Sequence, residues 1–177
     1  YLGLSFKYTR QGFRKSPFSA QHQLTASHSL ATSAYRFNYS LTVPTLFRKT
    51  DLRFWAALNA PDNTTNFFTY GNETVFDRSK GKGIEYYRAR FVLSDIQLLL
   101  SRNITSTFSV AAGPAFQYYA FDSDENAGRL ISLTGINGLN GATLDKTKTY
   151  GGFQVLASLD NRNNQVLPAR GVNWQTR

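Results

Sequence analysis

A chain of 177 residues with 41% apolar and 15% aromatic residues is too rich in packing groups for a disordered segment, and it holds too little Gly and Pro for a collagen-like one. Cys is absent, which removes a disulfide framework, a thiolate metal site and a cysteine nucleophile from this segment. The formal net charge of +9 admits nucleic acid, anionic lipid head groups or a polar channel of one sign as partners. No window approaches the roughly 18 consecutive apolar residues of a membrane helix, so a membrane-spanning reading requires strands.

The chain opens on a period of two. Leu2, Leu4, Phe6 and Tyr8 alternate with Gly3, Ser5, Lys7 and Thr9, the mark of a strand with one apolar and one polar face. The pattern returns at Leu24, Ala26, His28 and Leu30, and again at Tyr35, Phe37, Tyr39, Leu41 and Val43. A fourth run sets Leu52, Phe54, Ala56 and Leu58 against Asp51, Arg53, Trp55, Ala57 and Asn59. In the fifth, Tyr87, Ala89, Phe91 and Leu93 oppose Tyr86, Arg88, Arg90 and Ser94. The apolar residues then change parity at Ile96, Leu98 and Leu100, which predicts a bulge near Ser94 and Asp95. A sixth run carries Phe108, Val110, Ala112, Phe116 and Tyr118, a seventh Phe153, Val155, Ala157 and Leu159, and an eighth begins with Val172 and Trp174. About eight strands are expected, several long enough to cross a bilayer when tilted, and no helix.

Antiparallel neighbours send alternate links to opposite ends of a sheet. The long links 60–83 and 122–148 fall at one end and the short links 44–50 and 101–103 at the other, the asymmetry of outer-membrane barrels, which the three-residue link 31–33 breaks mildly. Lys7, Arg36, Arg53, Arg88 and Arg90 are assigned to the polar strand faces, which in a membrane barrel form a basic lumen. The same alternation is produced by a soluble ligand-binding barrel with its apolar face inward, and periodicity does not separate the two. Nucleic acid is disfavoured as a partner, because the basic residues are spread along many strands instead of forming one stripe.

Few motifs carry chemistry. Asp122, Asp124 and Asn126 space oxygen ligands like the first half of a calcium loop, but Ala127 stands where that loop needs Gly, and Leu133 where it needs a bidentate Glu. A solvated acidic loop is the simpler reading. His22 and His28 are the only histidines, with no acidic pair or serine spaced around them for a triad or metal site. The expectation is a protein with no catalytic residues and no cofactor.

The stretch Leu159 to Trp174 contains Asp160, Arg162, Asn163 and Asn164, then Pro168, Arg170 and Gly171. It resembles the strand-turn-strand signature of the bacterial surface antigen barrels, the BamA/TamA superfamily. Tyr8 to Lys15 and Asn63 to Glu73 are similar to the same superfamily, especially its branch fused to a calcineurin-like phosphoesterase. The resemblance implies that residues 1–177 form one partial barrel domain, an antiparallel transmembrane β-barrel of which about eight strands of 16 are present. It implies the outer membrane of a Gram-negative-type bacterium, outer-membrane lipid as surroundings, and client outer-membrane proteins and assembly-complex subunits as partners. Its members commonly carry periplasmic POTRA domains, and no POTRA-like stretch or phosphoesterase ligand set stands in this sequence. A passive pore, or a membrane anchor for a separate periplasmic or surface domain, remains the alternative function.

Overall fold

The computed structural model describes residues 2–69, 75–81, 83–133, 140–144, 146–164 and 166–176. Eight strands follow one another, each antiparallel to the next, in a single sheet of order β1 to β8. They are β1 (Leu2–Arg10), β2 (Ala20–His28), β3 (Tyr35–Phe47), β4 (Thr50–Asn66), β5 (Arg88–Asn103), β6 (Phe108–Phe121), β7 (Lys148–Asp160) and β8 (Asn173–Thr176). Among the described residues, helix is limited to single turns at Gly83–Tyr87, Leu130–Ser132 and Gly141–Leu144 (α1), all in the two long links.

The chain is therefore all-β and antiparallel. The described residues form an open sheet and no closed barrel, where the sequence resemblance implies part of one, about eight strands of 16. Closure requires the first and last strands to pair, whereas β1 and β8 are the two free edges of a linear order. β8 has four residues and pairs with β7.

Two strands run further than their alternation suggested. β3 continues through Pro44 to Phe47 and turns back through Arg48 and Lys49, with Phe47 opposite Thr50 and Arg48 at φ 55°. β4 extends to Asn66 because its Asn and Thr residues resume pairing with β5 beyond an irregularity, from Asn63 opposite Phe91 to Asn66 opposite Arg88.

That irregularity corrects the bulge expected near Ser94 and Asp95. β5 pairs without a slip from Phe91 to Gln97 against β6, and the extra residues lie on β4 between Asn59 and Asn63. Ala89, Phe91 and Leu93 consequently share a face with Asp95 and Gln97. At Ala89 the parity change has a packing cause: the link after β6 folds back over the start of that face. Ala89, Phe121 and Ile131 form a small buried cluster there, flanked by Phe67, Tyr119 and Leu144.

The two faces of the sheet differ in kind. Phe6, Leu24, Tyr39, Ala56, Ile96 and Phe116 stand side by side across β1 to β6. A second apolar row runs through Val43, Leu52, Leu100, Ala112 and Val155 across β3 to β7. On the reverse, Ser5, Thr25, Asn38, Ala57, Asp95, Gln117 and Tyr150 line up across β1 to β7.

Candidate functional site

Along β5 to β7 the polar face is the more enclosed one, whereas on β4 the polar-face Arg53 and Trp55 are exposed. Along β5, Leu99 and Ser101 retain 9% and 4% exposure, while their neighbours Leu98 and Leu100 on the apolar face retain 39% and 46%. Ala57 and Ala111 are also buried on the polar side, and Gly113 brings β6 so close that a Cβ would sit on the Leu98 carbonyl oxygen. Small residues thus let the strands close up on this side. Large apolar groups are carried on the other, with Leu4 at 83% exposure and Phe153 at 72%. A soluble sheet would bury such residues against a second layer. Here the described residues place no layer over them.

Aromatic rings cluster on this open face. His22 and the Tyr39 hydroxyl lie 2.8 Å apart in a hydrogen bond, with ring contacts from Tyr8 to His22 and from Tyr39 to Phe54. Towards the opposite end, His28 stacks on Tyr35 at 4.3 Å, and Tyr35 stacks on Phe37. Both histidines are members of aromatic ladders and stand in no metal-ligand set. Among the described residues, no group of three or more His, Asp or Glu gathers in a metal-binding arrangement.

The Asp160 to Gly171 stretch is a hydrogen-bonded turn built from its own side chains. Arg162 donates from Nε and Nη2 to the two Asp160 carboxylate oxygens at 2.9 and 2.8 Å. That pairing raises the Arg162 pKa. Asn173 donates to the same carboxylate at 3.0 Å. Asn163 accepts from the backbone of Ala169 and Arg170, Asn164 from Val166 and Leu167, and Asn161 from Val172. Pro168, which has no N–H, falls between these sets of accepted amides. Gly171 closes the turn at φ 106°, where a Cβ would meet the Arg162 Cα and the Asn161 carbonyl oxygen at 2.6 Å. Gln165, and residues 70–73 of the Asn63 to Glu73 stretch, lie outside the described residues.

The five basic residues assigned to the polar faces divide. Lys7, Arg36 and Arg53 stand on the polar face, with Lys7 level with Gln23 and Ser40, and Arg36 Nε donating to Asn59 at 3.0 Å. Arg88 and Arg90 have the opposite parity on β5, that of Ile96 and Leu98, because that strand alternates without interruption. The absent β5 bulge is what separates them from the others.

Arg90 belongs instead to a latch that the sequence reading missed. Asn126 is fully buried: its Oδ1 accepts from the Arg90 N–H at 2.8 Å, and its Nδ2 donates to the Arg90 and Asp122 carbonyls at 2.7 Å each. Glu125 pairs with the Arg90 guanidinium at 2.6 Å. Arg129 donates to the carbonyls of Glu85, Arg88 and Glu125, and burial, then the neighbouring Arg90, lowers its pKa against the opposing pull of Glu85 and Glu125. The calcium-like acidic stretch is engaged internally: Asp122 accepts from the Asp124 and Glu125 amides, and Asn126 faces the sheet.

No family model, no curated protein and no solved structure matches this chain.

Proposed function

We propose that this chain is part of the wall of a transmembrane β-barrel in a bacterial outer membrane, with the apolar face turned to lipid and the polar face to the lumen. One observation carries the reading: an exposed apolar surface continuous in register across the sheet, backed by a polar face that is the more enclosed one along β5 to β7. Moving a Leu or Phe side chain from water into an apolar phase is worth about 1.5–3 kcal/mol. Immersion in hydrocarbon suits this face; a soluble ligand-binding barrel would have to turn the same face inward. The side-chain-built turn at Asp160 to Gly171 and its resemblance to the BamA/TamA signature support the finer function, assistance to the insertion or translocation of outer-membrane proteins. Such assistance works through strand edges and local bilayer disturbance and needs no bond chemistry.

The test begins with cell fractionation of the full-length protein. It is expected to stay in the outer-membrane fraction after carbonate washing and to run with heat-modifiable mobility, and release into the soluble fraction would overturn the barrel reading. Depletion is then expected to lower the levels of other outer-membrane proteins. Unchanged levels would leave the second reading, a pore or anchor, which Lys7, Arg36 and Arg53 on the polar face favour as an anion-preferring channel.

A further inference from the structure

The topology sends the links 11–19, 48–49, 104–107 and 161–172 to one end of the sheet, and the links 29–34, 67–87 and 122–147 to the other. Charge follows this division. Arg10, Arg14 and Lys15 stand at the first turn and Arg48 and Lys49 at the next hairpin. Arg102 is the penultimate residue of β5, and Arg162 and Arg170 lie in the signature turn. Against them this end has Asp51 and Asp160, both engaged: Asp51 accepts from the Thr45 N–H at 2.8 Å, and Asp160 holds Arg162. By sequence, the long links at the opposite end carry seven carboxylates against five cations, and Arg88, Arg90 and Lys148 at the adjoining strand ends bring that end close to balance.

This basic end is one continuous rim. Lys15 Nζ donates to the Thr45 carbonyl at 2.9 Å, joining the first turn to the β3–β4 hairpin, and the Asp160 N–H donates to the Thr107 carbonyl at 2.8 Å, joining the β5–β6 turn to the end of β7. The rim also presents exposed apolar side chains: Phe13 with Arg14 5.0 Å above its ring, Phe47 beside Arg48, Ile104, and Val166 with Leu167 at the tip of the signature turn. Cations interleaved with exposed aromatic and aliphatic groups at the edge of a lipid-facing surface match an anionic membrane interface. The apolar groups enter the acyl boundary and the cations meet phosphate.

We propose that this rim docks on the anionic phospholipid head groups of the leaflet it borders, a conclusion that rests on the membrane-wall reading. Two features argue for it: the charge complementarity, and the continuity of the rim with the apolar face. The two longest links, 67–87 and 122–147, lie at the opposite end, where an outer-membrane barrel has its extracellular loops, so the basic rim is assigned to the periplasmic end and the leaflet concerned is the phospholipid one.

The test uses full-length protein reconstituted in nanodiscs of phosphatidylcholine and phosphatidylglycerol with two photoreactive probes. A tail-labelled phosphatidylcholine is expected to label the apolar face around Leu4, Phe37 and Leu98 in every variant, and its failure to do so would overturn the membrane reading itself. A head-group-labelled phosphatidylglycerol is expected to label peptides 10–19, 46–50 and 161–172 in preference to the matched phosphatidylcholine probe. That preference is expected to vanish in high salt and to fall at least about tenfold in R14N/R48N/K49Q/R102Q, each removed cation near an anionic surface counting for roughly a fivefold factor. Asn is chosen at positions 14 and 48 because both hold positive φ. Equal labelling by the two head groups, labelling confined to residues 67–87 and 122–133, or stronger competition by lipid A than by phosphatidylglycerol would overturn the proposal while leaving the membrane wall standing.

Discussion

Gly171 illustrates how little freedom a single position in the signature turn has. Its φ of 106° is open to Gly and costly for other residues, and the nearest atoms to an added Cβ are backbone atoms of Asn161 and Arg162, which cannot swing aside. Gly171→Ala is therefore expected to destabilise the turn by about 1–3 kcal/mol. The Asn161 and Asn163 bonds to the returning strand would loosen with it, raising amide exchange at Ala169, Arg170 and Val172. Unchanged exchange at those amides would show that the turn's remaining bonds hold it without the Gly171 geometry.

At the scale of the element, the link after β6 depends on one side chain. Asn126 supplies three hydrogen bonds from a fully buried position and extends the β5 ladder where β6 has ended. Asn126→Ala leaves the Arg90 N–H and two carbonyls without partners in a closed space, a loss of roughly 2–4 kcal/mol at the usual cost of about 1–3 kcal/mol for a buried polar group left unpaired. Limited proteolysis is expected to cut within 122–133 in this variant and to spare the strands; resistance equal to the parent would show that Glu125 and Arg129 suffice. The strands themselves were legible in the sequence, because each alternates over enough residues to declare its period, as Leu2 to Tyr8 and Tyr35 to Val43 do. The latch was not, because Asn126 sits in an acidic run whose spacing imitates a cation loop, and only the fold brings it against Arg90. The change of parity in β5 was visible, but its origin was not. The buried Ala89 on the polar side signals a link packing over it, and a bulge would leave the same trace in a sequence. Gly113 was equally opaque, since its reason is the Leu98 carbonyl of a neighbouring strand.

For the molecule as a whole, the decisive question is which solvent each face meets, and adjacent residues on one strand answer it. Gln23 and Leu24 are both exposed, lie next to each other on β2, and point to opposite faces, Gln23 level with Lys7 and Leu24 with Phe6. In water, a charge at either position is nearly neutral, because exposed surface substitutions seldom exceed about 0.5 kcal/mol. In a bilayer the two positions diverge. Leu24→Arg puts a guanidinium into hydrocarbon at a cost of about 2–4 kcal/mol near the midplane, while Gln23→Arg adds one more cation to a polar lumen. Denaturant titration of the full-length protein folded into phosphatidylcholine vesicles is expected to show that loss for Leu24→Arg and less than about 1 kcal/mol for Gln23→Arg. Equal, small effects at both positions would mean that the apolar face meets water or a protein partner, and the membrane-wall reading would fall with its lipid-docking rim. A large loss at Gln23 and none at Leu24 would reverse the faces and restore the ligand-binding barrel that the alternation alone permits.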